Sequence, residues 1–563
     1  MNIDNAKLLI ENLLERIELD SSTGKFKLGT ISSMEKLALE TLLAGDGIHS
    51  PIETTVAITP LPRTIPTITA PIEPCDPAPT PISDPAAGQP DIALNLAAFD
   101  RTRAADPQIT MCLDFGTAMS KAFAMQGENT PVELALGKRA GASGYPVESS
   151  LFITDDGILH FGPQAIEFGT AAAALGRSRF DSPKARLSMG QQVDIHRAII
   201  GKEINPISDI PMTEGELITL YLGYLTDLAT SELEAQGFTR YCARRFARPC
   251  WSEERNKWAE PLLRRMLAQA QVLADTFHDQ WQVGIPLFKA KVAMDKVRQL
   301  DTLPDYLLGN GIPEPVAAAA SLMLSEEAQR ELFLVVDVGA GTTDFGLFLL
   351  QHNPAKDVCL VRIVPNTIKV LEQAGNRVDD LLKFYVLENE GIDKASPEGE
   401  HNLRFLQSTI RLQKETLFRD GNVHVPLANG SIATIQIDKF LTNTRLMAFS
   451  DLLQRQVLDV LNATGDGFLD LMKESHLNVV LTGGGANLPM IQSLATGVID
   501  VRGRRILRKS VPNVPAWIDE KYPQFAPQYS QLAVAIGGAN PELPSVAESV
   551  ADFKGLSRPT YTV

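Results

Sequence analysis

Apolar residues run unbroken from Leu332 to Val336, and a second apolar run opens at Phe345. Between them lies Asp337-Val338-Gly339-Ala340-Gly341-Thr342-Thr343-Asp344, so the stretch predicts strand, tight turn and strand, the first strand buried on both faces. The same plan occurs upstream between Ile109 and Met125, where Asp114, Gly116, Thr117 and Ala118 interrupt two apolar runs. A motif met twice predicts a duplicated fold with two hairpins facing each other. A third hairpin is expected over Ser149–Phe161, with the Asp156-Gly157 turn matching a two-residue loop. Helical periodicity marks Glu214–Glu234, Glu253–Thr276, Val378–Glu388, Asn402–Phe418, Asp451–Asn462 and Thr464–Lys473. A hairpin is expected over Val423–Ile437. Strands and helices alternate without a tandem repeat, which predicts an α/β class with two related halves.

The ends of the chain read differently. Leu9, Leu13 and Ile17 repeat at helical spacing, Phe26-Lys27-Leu28 suits one short strand, and Ser32-Ser33-Met34-Glu35 resembles a capping box opening a second helix. Residues 1–48 are thus expected to be a small helical module. Eleven prolines fall between Pro51 and Pro90. Proline removes donors and fixes φ, so residues 49–107 predict a semi-extended linker. The α/β domain is assigned to residues 108–540 and a tail to 541–563.

Composition narrows the classes. At 563 residues, 44% hydrophobic and 21% charged, the chain has the make-up of a globular protein with several structural units. A formal charge of −16 disfavours a nucleic-acid or anionic-membrane surface. Two basic clusters, Arg240/Arg244/Arg245/Arg248 and Arg502/Arg504/Arg505/Arg508/Lys509, read as solvated faces or docking patches. Five scattered cysteines without a CxxC argue for a reducing compartment and against structural zinc or disulfides. No run approaches membrane-spanning length, and a cytoplasmic location is expected.

The two turns carry candidate chemistry. Their glycines let backbone N–H groups approach a phosphate, and threonine hydroxyls add donors. Asp337 and Asp344 are placed to hold a hydrated magnesium ion or to orient a water. The same residues also fit an ordinary hairpin with aspartates in its turn. Further on, Gly311-Ile312-Pro313-Glu314-Pro315 leads into an alanine helix that can approach a neighbour closely. Thr482-Gly483-Gly484-Gly485-Ala486 is a strand-to-helix turn that suits a nucleoside lying over the backbone, and Leu532–Gly538 is a second small-residue helix.

These five elements, in this order, resemble the actin-like ATPase superfamily, and in detail the nucleotide-binding domain of the DnaK-type heat-shock protein 70 chaperones. The resemblance implies a duplicated actin-like ATPase fold, two lobes around a nucleotide cleft, with ATP or ADP and Mg²⁺ as cofactors. It implies that Asp114 and Asp337 hold the metal through water, that Asp337 and Asp344 organise the metal and the attacking water, and that Glu314 closes the ion's hydration shell. Gly116, Thr117, Gly339, Gly341, Thr342 and Thr343 would then bind phosphates, and Gly483, Gly484, Gly485 and Lys414 the nucleoside. The family also places a lysine near the γ-phosphate. Lys184 in Asp181-Ser182-Pro183-Lys184 is the candidate, with Arg197 and Lys202 as rivals.

The chain departs from the family in two places. Around Lys414 it has Arg411, Glu415 and Phe418 where the family has a glutamate, an arginine and a serine, so base discrimination is expected to differ. Only 23 residues follow Asn540, too few for the family's peptide-binding domain. The expected function is a chaperone-like, ATP-hydrolysing switch acting on a protein partner through the N-terminal module or the ATPase surface. An actin-like filament-forming ATPase or scaffold is the alternative.

Overall fold

A computed structural model describes residues 17–20, 25–28, 92–103, 108–127, 130–324, 331–353, 358–512 and 514–546. The chain divides into two units, Met1–Asp91 and Ile92–Val563. In the first, strand Ile17–Asp20 pairs antiparallel with Lys25–Leu28, Ile17 opposite Leu28. The Phe26–Leu28 strand is therefore present, but Ile17 belongs to a strand rather than a helical face. Leu9, Leu13 and the Ser32–Glu35 box lie outside the described residues.

The second unit is mixed α/β, framed by two mixed sheets. One has the strand order Leu308–Pro313, Ala243–Arg248, Ile109–Asp114, Met119–Gln126, Thr130–Val132. The first three run parallel and the last two pair antiparallel. The other contains Arg504–Ser510, Leu477–Thr482, Glu331–Val338, Thr343–Asn353 and Val358–Ile363 in that order, again parallel, parallel, antiparallel, antiparallel. Each sheet is thus a hairpin meander extended on one side by two parallel strands. The central strands of both are buried on both faces, which explains their unbroken apolar runs.

Helix Glu214–Ala235 begins at a capping box formed by Thr213 and Glu216, and it is buried along most of its length. It packs with Glu253–Thr276 into the core of the first half. Expectation and structure differ at three points. Asn402–Phe418 is two helices, Pro397–Gln407 and Ile410–Asp420, because the chain turns at Ser408-Thr409. The Ser149–Phe161 hairpin has three loop residues, Asp155, Asp156 and Gly157, with Thr154 N–H donating to Ile158 O and Gly157 at φ +76°. Glycine in the left-handed conformation closes such a loop as a bulge. Residues 92–103, assigned to the linker by composition, are docked. Asn95 N–H donates to Thr276 Oγ1 (3.0 Å), Tyr306 OH to Ala98 O (2.8 Å), and Ala98 is fully buried.

Helices Glu314–Ala320 and Tyr529–Ala539 pack on each other and against strands of both sheets. They approach until a Cβ on Gly537 would lie 1.8 Å from Ala317 O, so only glycine fits there. Ser321 Oγ and Tyr529 OH share a 2.5 Å hydrogen bond, and Asn540 Nδ2 donates to Ala320 O at 3.1 Å. The basic cluster at Arg240–Arg248 is no solvated face. Arg240 pairs with Asp227 and Asp275 at 3.0 Å, Arg244 donates to Gln271 Oε1, and Arg248 pairs with Glu260. In the later cluster Arg502 and Arg504 pair with Asp466, and Arg508 donates to Leu494 O. Among the described residues no helix is long and apolar enough to cross a membrane.

Candidate functional site

The register of the two hairpins sets the charges of the site. In the first, Asp114 lies directly across from Lys121, and their side chains pair at 3.0 Å. In the second, the corresponding place puts Asp337 opposite Asp344. Directly opposed residues of an antiparallel pair share a face, and like charges there repel. Asp337 accepts from Thr482 Oγ1 (2.9 Å), and Asp344 from the N–H of Cys250 (2.8 Å). The second oxygen of Asp344 is buried without a partner among the described residues.

Between the hairpins opens a cleft of about 440 Å³. It is lined by Asp114, Gly116, Thr117, Lys184, Glu314, Asp337, Gly339, Thr342, Lys414 and Gly483–Gly485, residues from every motif singled out in the sequence. The two turns meet: a Cβ on Gly341 would stand 3.0 Å from Thr117 Oγ1. Lys184 lies on the floor of the cleft, buried and bonded to Glu314, whereas Arg197 and Lys202 are exposed elsewhere. Three expected residues do not line it. Thr343 is fully buried and its hydroxyl donates to Gln373 O at 2.8 Å. Gly341 is covered by Thr117, and Asp344 stands one layer behind the wall with no exposed surface.

Backbone donors are distributed unevenly. The N–H groups of Gly375 and Asn376, at the start of helix Gly375–Asn389, donate to Gly339 O and Ala340 O. Peptide planarity then turns the N–H groups of Ala340 and Gly341 the opposite way, and neither takes a backbone partner among the described residues. The glycine turn is used differently from expectation. Gly483 N–H donates to Ser530 O and Gly485 N–H to Val338 O, while Gly339 N–H closes its own turn on Thr342 O. Gly116 N–H is likewise engaged, with Ser120 Oγ. Gly484 is the bare one: a Cβ there would meet nothing within 4 Å.

Burial raises the acidic groups. Asp337 is pushed up to about 6 by burial and by Asp114 and Asp344. Burial takes Glu314 up to about 8 despite the Lys184 ammonium, and Asp344 is raised as well. Burial pulls Lys184 down, but Glu314, Asp114 and Asp344 outweigh it and hold the ammonium above the ordinary lysine value. Four carboxyl groups thus face two ammonium groups, a set short of positive charge. Among the described residues no three His, Cys, Asp or Glu side chains are close enough to hold a metal directly. The N–H of Ala340 and the bare Gly484, both at the cleft, fit phosphate oxygens, and the Asp114 and Asp337 carboxylates fit the water shell of a divalent cation.

A pH dependence follows. The folded protein holds protons on Asp337 and Glu314 that the unfolded chain has released, so stability is greatest below the unfolded carboxylate range. It declines as pH rises through about 6 and about 8. Added magnesium is expected to reverse part of that decline, because it favours the ionised carboxylates. Chemical denaturation across this range with and without Mg²⁺ checks this; a magnesium effect independent of pH would contradict it.

Sequence reasoning overlooked Lys121 and Arg419, which also line the cleft. Lys121 was legible once Asp114 was fixed, because the hairpin register carries it opposite. Lys414 is held by Asp379 (2.8 Å) and donates to Gly375 O, and Phe418 packs its edge against Phe440 while lining the cleft with Arg411 and Glu415. No protein-family model matches the chain.

Proposed function

We propose that the chain is a DnaK-type, magnesium-dependent ATP-binding and ATP-hydrolysing protein that acts as a nucleotide-dependent switch on a protein partner. The observation that carries this reading is convergence. Two glycine-threonine turns and a triple-glycine turn, far apart in sequence, border one cleft floored by Asp114, Lys121, Lys184, Glu314 and Asp337. The matching strand order and direction of the two sheets support a duplicated actin-like fold with the hairpins as equivalent elements. The crossing of the two small-residue helices fits a joint between the lobes.

On this reading, N–H groups of Ala340 and Gly484 and the hydroxyls of Thr117 and Thr342 hold the nucleotide. Asp114 and Asp337 hold hydrated magnesium, Lys121 and Lys184 neutralise phosphate oxygens, and Asp344 and Glu314 fix the surroundings of the attacking water. Bound magnesium would supply the positive charge that phosphoryl transfer to water requires, the protein's share being position and charge. Arg411, Glu415 and Phe418 would face the base.

Ligand binding to the folded form alone raises stability by RT ln(1 + [L]/Kd), about 2.7 kcal/mol at a hundredfold excess over Kd. A thermal shift of that order is expected with MgATP and a much smaller one with ATP and chelator. No shift at millimolar MgATP would sink the proposal.

A further inference from the structure

A second cavity, of about 580 Å³, lies between helices Gln192–Arg197, Glu214–Ala235, Glu253–Thr276 and Leu287–Arg298, and shares no lining residue with the cleft. Every charged side chain lining it is basic: Lys257, Arg265 and Arg298, with His196 beside them. In a chain of net charge −16 such a concentration of one sign is unexpected. Lys257, Arg265 and Gln269 follow at multiples of four residues along one helix, so they share its face, and Trp258 stands next to them.

The nearest acids do not neutralise the set. Glu216, fully buried, pairs with Arg298 and Lys291 at 2.7 Å, and Lys291 also pairs with Asp295 at 2.8 Å. Glu253 pairs with Lys257 at the exposed surface, which leaves Arg265 to be accounted for. Arg265 makes no ion pair with a described residue. Burial, together with Arg298 and Arg265, lowers the His196 imidazole, so these groups act on one another across the cavity. Gln269, at 6% exposure, lines the cavity and makes no side-chain hydrogen bond with a described residue.

We propose that this cavity binds a small organic phosphate. Two guanidinium groups and an ammonium exceed what one carboxylate needs and match a phosphate dianion, which arginine binds through paired N–H groups. Gln269 offers a further donor, and the Trp258 ring, with Arg255 5.5 Å over one face, offers apolar surface to a flat body. The volume is that of a small-molecule site.

The test is a titration of the full-length protein with phenyl phosphate at constant ionic strength, following tryptophan emission. A saturable change is expected that disappears in Trp258→Phe, which separates this cavity from the cleft. Arg265→Ala and Gln269→Leu should each weaken binding about tenfold, and Arg265→Lys less. Thr342→Ala, in the cleft, should leave the Trp258 signal unchanged. Inorganic phosphate, lacking the ring, should bind more weakly. The proposal is overturned by no saturable change at millimolar ligand, by equal affinity for inorganic phosphate, or by undiminished binding in folded Arg265→Ala and Gln269→Leu proteins.

Discussion

Replacing Lys184 by Met is expected to cost about 3–5 kcal/mol of stability at alkaline pH and to abolish the proposed ATP hydrolysis, the stability loss being that of a buried ion pair deprived of one member. Lys184 and Glu314 are both buried and bonded to each other, and Asp114 and Asp344 act on the same ammonium. Without it Lys121, paired with Asp114, is left to face the carboxylates. The sign of the pH effect follows from Glu314, already raised to about 8 with the lysine in place. Below that value Glu314 can take a proton, and the variant is expected to lose less. Above it the wild-type pair is ionised, whereas the variant, which lacks the lysine that lowers Glu314, must keep a proton there against the rising pH or ionise it unpaired. Denaturation of wild type and variant at about pH 6 and about pH 9 checks this, with the larger gap expected at the higher pH. The double variant Lys184→Met/Glu314→Leu should regain most of the stability without regaining hydrolysis, since apolar replacement of both partners removes the unpaired charge. Equal losses at both pH values would show that Lys184 contributes through packing alone.

Gly537→Ala is the second substitution with a large expected effect. The added methyl carbon would lie 1.8 Å from Ala317 O and 2.6 Å from Ser321 N, both backbone atoms that cannot turn aside. Helices Glu314–Ala320 and Tyr529–Ala539 must then separate, at a cost of about 1–3 kcal/mol or more for overpacking. Because Glu314 begins the first of these helices, the displacement should reach the cleft and shrink the MgATP-induced thermal shift. Gly538→Ala is the control. Its methyl would meet the Cys112 side chain at 2.3 Å rather than backbone, so a smaller loss is expected, relieved in part by Cys112→Ala. If both glycine variants melt like wild type, the close crossing is not required for stability.

The hairpins, the alanine helix after Glu314 and the triple-glycine turn were legible in the sequence because each depends on local chemistry. Unbroken apolar runs make buried strands, and glycine permits tight turns, whatever surrounds them. The Glu253–Thr276 helix was readable to its end residues, because Ser252 caps it and its apolar face is periodic. Longer-range relations were decided by the fold. That Thr117 reaches Gly341, that Cys250 caps Asp344, and that Lys184 rather than Arg197 or Lys202 meets Glu314 depend on pairings 94 to 224 residues apart. Asp344 was expected at the cleft surface. Only the packed structure places it behind the wall, and only there does burial raise its proton affinity against the Cys250 and Lys184 contacts that lower it. The Arg240–Arg248 cluster carries the same lesson. A run of arginines reads as a solvated face until Asp227, Asp275 and Gln271 are brought against it from helices elsewhere in the chain. Charge type is written locally, but its compensation is decided by which distant groups share its burial, and that is fixed only when the sheets and helices pack.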